Sequence, residues 1–486
     1  MSKQYRFLAR IIIEAKTPLS IGSGNNGIKS DSLILRDANG LPFIPGTTIA
    51  GLLRHSITIE KKIDEKKSEY KQKLDALRAP LMGSQAYGSP IIITDAKMLD
   101  SDGSVLDGII DQGKLGSGFL SYFRQLPVRQ HAKINHRGTT EQHNLFNEEV
   151  VLKGTRFCFE MEMLSSDDEI KKADETRFIE LLKTLNSDAF RIGSGSRSGF
   201  GEIEVVNDKC QYKKIDLTDA KQKEWYLEKS SSLIKQWEDA DELSLPKSNK
   251  AGWTIYELNL RPIDFMLFGS GLSNDKADMT YIRESFVDWS VNPAQVKNQN
   301  CVVLIPASSV KGALSHRLAF HYNKLTEKYA DTLKEDEKIE DFVGKNNAAV
   351  KAVFGSEGDK CENGIMKNKQ RGNVLISDIF FFDDKTPIIS KVLNHVSIDR
   401  FTGGAIDGAL FNEETLFAKG LQFNLKLMVN NKAFVDEKVK PAFESALKDL
   451  CSGMLPLGGG VNRGNGCFEG IIKCNGDQIY GTNNDK

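Results

Sequence analysis

The sequence predicts an α+β protein in which one structural unit is built twice. Three observations carry that expectation. The first is an internal duplication in five matched blocks that keep their order along the chain. The second is the punctuation inside each copy: a β-rich run, a Gly-Ser loop, a helix opened after proline, a short apolar strand and a late glycine-rich loop. The third is composition, because 486 residues that are 40% hydrophobic and 27% charged can bury more than one core without staples.

Each copy opens on a strand, Tyr5 to Glu14 and Thr254 to Leu260, with β-rich alternation. A loop follows, in Thr17 to Asp37 (TPLSIGSGNNGIKSDSLILRD) and Asp264 to Glu284 (DFMLFGSGLSNDKADMTYIRE). Gly22 and Gly269, Asp31 and Asp278, and Arg36 and Arg283 are each 247 positions apart. The next block, Ile44 to His55 (IPGTTIAGLLRH), answers Ile305 to His316 (IPASSVKGALSH) at 261 positions, so the second copy carries 14 extra residues between the two blocks. Thr47 or Thr48 after Pro45 can cap a helix whose apolar residues Ile49, Leu52 and Leu53 lie at helical spacing. Ile91 to Thr94 and Val374 to Ile376 read as short buried strands. Leu145 to Glu149 and Leu410 to Glu414 both read LFNEE, and Arg191 to Glu204 (RIGSGSRSGFGEIE) matches Pro456 to Glu469 (PLGGGVNRGNGCFE). This element order is that of a ferredoxin-like α+β unit. The expected domains are 1–207 and 253–475, joined by a charged linker, 208–252, with one surface helix inside Leu217 to Trp237, and followed by a disordered polar tail, 476–486.

Several function classes are excluded early. No apolar run approaches the roughly 18 residues of a membrane span, and Met1 to Lys16 lacks a signal-peptide cleavage site, so a cytoplasmic protein without membrane contact is expected. Seven cysteines form no CxxC pair, which leaves no thiolate zinc site or redox dithiol. With 65 Lys+Arg against 66 Asp+Glu, the net charge of −1 rules out broad affinity for polyanions, and any nucleic-acid contact must use a local basic groove. Gly22, Gly24 and Gly27 satisfy G-x-G-x-x-G, but Asn274 stands at the last position of the second copy and no suitable ribose-binding acid follows. The late loop lacks the Gly-Lys-Ser/Thr ending of a P-loop, which argues against a small-molecule phosphoryl enzyme.

These blocks resemble the RAMP superfamily, and most closely the tandem-repeat backbone subunits of type III CRISPR effector complexes. The motif is IGSG…D-x-x-x-x-R-D followed by GLPFIPGTTIAGLLR, Ile21 to Arg54. The resemblance spans about Tyr5 to Val206 and about Thr254 to Ile472, and its two-in-one-chain form is similar to the fused proteins of the type III-D branch. It implies a modified RNA-recognition-motif fold that binds crRNA and, in the catalytic branch, cuts paired target RNA within a multisubunit ribonucleoprotein.

Glycines in the early loops, Gly22, Gly24, Gly269 and Gly271, let the backbone approach a phosphate closely. Thr47, Thr48, Ser308 and Ser309 stand at a helix N-terminus facing the expected phosphates, and plain capping is compatible with that role. Arg54, Lys311 and Arg317 on the same helices, with Arg197 and Arg463 in the late loops, are further phosphate candidates, although Ala50 replaces the family's basic residue in the first copy. Val128 to Glu149 and Lys391 to Glu414 resemble the family's thumb, a hairpin that displaces one base pair; its candidate tip residues are His136 and His143, and Phe401 and Ile406.

RNA supplies its own nucleophile in the 2′-OH, so cleavage needs little beyond a base or a metal ligand. Asp31 and Asp278 match the family's catalytic aspartate and are the expected catalytic residues and ligands of Mg²⁺ or Mn²⁺. A turn-capping role is the alternative for each. Asp37 and Glu284 also recur; Arg36 and Arg283 beside them suggest structural pairing, which leaves these acids as second-rank candidates. His55 and His316 are paired too and read as packed helix residues, with a role as acid or phosphate donor as the alternative, while His131, His136 and His143 keep guide-precursor processing open. The expected activity is therefore two cuts, one per half, with a non-catalytic guide-binding subunit as the alternative.

Overall fold

The structure is a computed structural model that describes every residue except 1–2, 28–29, 60–66, 136–137, 167, 248–250, 298–301, 335–336, 357, 361–365, 368, 383–388 and 482–486. Its first half runs β1 (Tyr5–Ala15), α1 (Gly46–Ser56), α2 (Lys67–Met82), β2 (Ile91–Ile93), the hairpin β3 (Val128–Ile134) and β4 (Thr140–Glu149), β5 (Arg156–Ser165), α3 (Asp168–Leu185), β6 (Ile203–Val205), β7 (Gln211–Asp216) and α4 (Ala220–Glu228). The second half repeats the pattern as β8 (Trp253–Pro262), α5 (Ala307–Leu325), β9 (Val374–Ile376), the hairpin β10 (Ile389–His395) and β11 (Phe411–Phe417), β12 (Phe423–Asn430), α6 (Val439–Cys451) and β13 (Phe468–Cys474).

The opening strand is central in both sheets. β1 pairs antiparallel with β5 from Tyr5↔Ser165 to Glu14↔Arg156, and on its other side with β6 and β7. β8 pairs antiparallel with β12 and β13, and β2 and β9 flank β5 and β12. Helices α1 and α3 bury Ile49, Leu53, Phe178 and Leu182 against the first sheet, while α5 and α6 bury Leu314, Leu318, Phe443 and Leu447 against the second. Among the described residues no helix is long and apolar enough to cross a membrane. Cys158, Cys210 and Cys451 are free and buried, as expected of scattered thiols.

Two sequence expectations are corrected. The stretch 208–252 is packed onto the first half: β7 extends its sheet, and Leu243 and Leu245 enter its core. The helix there is shorter than Leu217 to Trp237, covering Ala220–Glu228 alone. Trp237 packs on Leu8 and Ile215, and Leu233 on Ile12 and Cys158, which covers the face of β1 turned away from the helices. On that face Leu8 and Ile12 sit between Arg6, Arg10 and Glu14, which pair with Glu162, Glu160 and Arg156, so β1 is covered on both sides while keeping its polar alternation. The tail is ordered through Tyr480, where Asp477–Tyr480 pairs with β13; residues 482–486 lie outside the described residues.

The halves meet in a buried charge cluster. Arg129 of β3 donates from Nη2 to Glu284 Oε2 at 2.7 Å and from Nη1 to Asp378 Oδ2 at 2.5 Å, with its guanidinium carbon 4.7 Å from the ring centre of Phe200. All three ionic side chains are almost inaccessible to water. Lys153 at the same boundary donates to the Lys16 carbonyl at 2.7 Å. Burial and the nearby Lys16 charge push its ammonium down to about 8.

Candidate nucleic-acid interface

Asp31 and Asp278 occupy equivalent places. In each half the glycine loop folds back on itself, with Gly22 bridging Ile34 and Gly269 bridging Tyr281. The return arm then lies parallel to the second strand of the hairpin, as Ser32↔Glu148 and Met279↔Glu413. Both aspartates are exposed. Asp31 Oδ2 accepts the main-chain N–H of Asn147 at 2.8 Å, and Asp278 Oδ2 accepts that of Asn412 at 2.9 Å. In return, Asp31 N–H donates to the Asn147 carbonyl at 2.9 Å and Asp278 N–H to Asn412 Oδ1 at 2.7 Å. The loops are thus clamped while each carboxylate faces solvent.

Gly24 and Gly271 both sit at positive φ, +79° and +78°, where a side chain would be strained. An added Cβ at Gly271 would also lie 2.1 Å from Gln130 Oε1, so the first half's hairpin presses directly on the second half's loop.

Behind each aspartate lies a second repeated set, of which the sequence pattern singles out only His131, for guide-precursor processing. His131 stacks on Phe146 with ring centres 4.7 Å apart and places Nε2 2.9 Å from Glu148 Oε1. His395 stacks on Phe411 at 5.0 Å, with Nε2 3.2 Å from Glu413 Oε1. Asn147, Asn412, Glu148 and Glu413 all belong to the repeated LFNEE block, which is the signal that could have found them.

The helix N-termini differ from the capping expectation. The N–H of Gly46 donates to Asp95 Oδ1 at 2.9 Å and that of Ala307 to Asp378 Oδ1 at 2.8 Å, while α1 and α5 take no side-chain cap from their own first turns. Asp95 and Asp378 come from the ends of β2 and β9, and nothing local in the sequence marks them as caps. Thr47 is exposed and Thr48, Ser308 and Ser309 are half-buried, so their hydroxyls are not consumed by capping. A cavity of about 300 Å³ runs along α1, lined by Thr47, Ala50, Gly51, Arg54, Ser89 and Ile91.

The basic candidates divide. Arg54 donates to the Gly83 carbonyl at 2.8 Å beside the cavity. Arg197 donates from Nε to the Gly372 carbonyl at 2.8 Å and so faces the boundary between halves. Its guanidinium is pushed down to about 9 by burial and by Arg371 and Arg191. Arg463 holds Glu413 Oε2 at 2.5 Å, and Arg317 pairs with Asp449 of α6, which gives both an intramolecular partner. Lys311 Nζ lies 3.5 Å from Ser198 Oγ of the first half's late loop. His316 Nε2 lies 3.3 Å from the Ile134 carbonyl of the first hairpin rather than packed in a core.

The second-rank acids do not pair with their neighbouring arginines: Arg36 pairs with Glu149 and Arg283 with Glu414, while Asp37 accepts N–H groups within its turn and Glu284 is buried in the charge cluster. Phe401 is fully exposed at the turn of the second hairpin, with Ile406 exposed beside it. His136 and the side chain of His143 lie outside the described residues.

Among the described residues no three His, Cys, Asp or Glu side chains gather into a protein-built metal cage. The exposed carboxylates of Asp31 and Asp278 each offer one ligand to a Mg²⁺ ion that would take most of the others from water and substrate phosphate.

A family model for the RAMP superfamily matches residues 12–204 and again residues 263–469. No curated protein matches the chain.

Proposed function

The chain belongs to the RAMP superfamily of CRISPR-associated RNA-binding proteins, and from that premise we propose that it is the guide-binding backbone subunit of a type III CRISPR ribonucleoprotein, of III-D-like form, that cleaves guide-paired target RNA once per half. The carrying observation is the repeated placement of Asp31 and Asp278, exposed at one register and clamped by the same hairpin asparagine. The strand orders β2-β5-β1-β6 and β9-β12-β8-β13, all antiparallel, support reading each half as a ferredoxin-like unit.

In this reading the crRNA and the target lie along the hydroxyl-bearing α1 and α5 faces. The exposed apolar tip at Phe401 and Ile406 displaces a base pair, which turns the flanking ribose so that its 2′-oxygen lines up with the adjacent phosphorus. The 2′-oxygen bonds to phosphorus, the P–O5′ bond breaks, the 2′ proton passes to water, and the 5′ oxygen gains a proton from water. Asp31 and Asp278 would hold Mg²⁺ or Mn²⁺, which would neutralise charge building on the phosphate.

The clamp itself favours a second reading, in which both aspartates only pin their loops in a non-catalytic guide-binding subunit. Aspartate-to-asparagine changes separate the two, because the amide oxygen still accepts the Asn147 or Asn412 N–H but carries no charge. The complex, co-expressed with its partner genes, is given labelled complementary RNA with Mg²⁺. Asp31→Asn is expected to remove one product and Asp278→Asn the other. Survival of both products in both variants overturns the nuclease assignment.

A further inference from the structure

We propose that Glu148 and Glu413 are positioning residues, each setting where the neighbouring aspartate stands, and that the hold on the first site depends on His131 whereas Arg463 backs up His395 in the second. This rests on the nuclease reading above and concerns how the two candidate sites are held, not what they cut.

Each glutamate directly follows the asparagine whose N–H clamps the aspartate, Asn147 for Asp31 and Asn412 for Asp278, so a shift of its side chain is passed on through one peptide unit. Ser32, next to Asp31, bridges Glu148, and Met279, next to Asp278, pairs with Glu413. The strand that receives each aspartate loop is therefore the strand that carries the acid. Glu413 is fully buried and Glu148 largely so. A carboxylate removed from water keeps its place only where cations and donors satisfy it.

The two halves meet that need differently. Glu148 Oε1 lies 2.9 Å from His131 Nε2, and Oε2 accepts the Ser20 hydroxyl at 3.0 Å, which in turn accepts that of Ser194 at 2.8 Å. One acid thus ties β3, the stem of the glycine loop and the late loop to β4. In the second half Leu267 and Gly459 stand in the places of Ser20 and Ser194, so that hydroxyl route is missing. Arg463, from the place of Ser198, takes it over: it holds Glu413 Oε2 at 2.5 Å, while Oε1 lies 3.2 Å from His395 Nε2 and 3.5 Å from Asn465 Nδ2. Among the described residues Glu148 has one basic side chain within ion-pair distance and Glu413 has two. Losing His131 leaves Glu148 the Ser20 hydroxyl; losing His395 leaves Glu413 its arginine.

Two readouts on the full chain test this. The first is hydrogen exchange of the protein alone, without RNA or metal, read by mass spectrometry on peptides spanning Asn147 and Asn412. His131→Gln is expected to speed exchange at Asn147 about tenfold or more and to leave Asn412 unchanged, and His395→Gln to alter Asn412 by less than about threefold. The second is cleavage of labelled complementary RNA by the assembled complex, each product being assigned to its half by Asp31→Asn and Asp278→Asn. His131→Gln is expected to lower kcat for the first half's product about tenfold or more with KM within about twofold, because a displaced carboxylate slows the chemical step rather than duplex binding. The second half's product, formed at the wild-type rate, shows that the chain is folded. Wild-type exchange at Asn147 in His131→Gln overturns the proposal, as does an equal fall of both products, which would mark the histidine as support for the fold at large. Equal losses from His131→Gln and His395→Gln overturn the unequal hold. If the unmodified complex cuts nothing, the nuclease reading falls, while exchange in the free chain still decides whether each pair holds its loop.

Discussion

One carboxylate oxygen of Asp278 is engaged by the Asn412 N–H while the side chain remains exposed, so the residue holds its loop and still presents charge to solvent. The two roles separate by substitution. Asp278→Asn keeps the acceptor and is expected to leave thermal stability unchanged, whereas Asp278→Ala loses an exposed charged hydrogen bond, a cost of under about 1 kcal/mol. Equal melting temperatures for the two variants would show that the clamp contributes nothing. The acids were legible because duplication held them at one spacing, with Asp31 and Asp278 bracketed by the recurring glycines and arginines. Their partners Asn147 and Asn412 recur in the LFNEE block, but the repeat alone does not say which acid they hold, since the bond to each aspartate comes from the asparagine main chain. His131 and His395 were likewise visible as residues, but their pairing with Glu148 and Glu413 depends on cross-strand register inside the hairpins.

Elements show the same division between local and distant information. Strand β1, helix α1 and their repeats were readable from period and punctuation. The helix caps were not, because sequence proximity favours Thr47 while Asp95 arrives from 49 positions away and Asp378 from 71 positions beyond Ala307. Asp95→Ala is expected to cost about 1 kcal/mol in urea unfolding, the usual penalty for a lost cap, and Thr47→Ala close to nothing. A larger loss for Thr47→Ala would contradict the assignment. The stretch 208–252 was misread for a related reason. Gln211–Asp216 carries two lysines on a strand at the side of the sheet, and charge on such a strand resembles a solvated linker until its pairing with β1 is seen.

At the scale of the molecule, two copies of one unit become a single body through Arg129, Glu284 and Asp378, and that joint fixes how far apart the two candidate sites stand. Asp37 and Asp95, the first half's counterparts of Glu284 and Asp378, are differently placed, Asp37 satisfied within its turn and Asp95 exposed. Glu284 is raised above the ordinary carboxylate range by burial, against the opposing pull of Arg129. A carboxyl group raised on folding binds its proton more tightly in the native state, so the stability it contributes is complete below its unfolded value and is lost as pH rises through the folded one. Arg129→Met removes the cation that limits this rise, so Glu284 ionises only at still higher pH, and leaves two buried carboxylates without their partner. The variant is expected to lose roughly 3–5 kcal/mol at neutral pH, with the deficit shrinking as pH falls and Glu284 takes up its proton. Glu284→Gln in the same background removes one titrating group and should flatten that slope. Urea unfolding at a series of pH values reads both effects, and a deficit constant across pH would mean that Arg129 acts through packing on Phe200 rather than through charge.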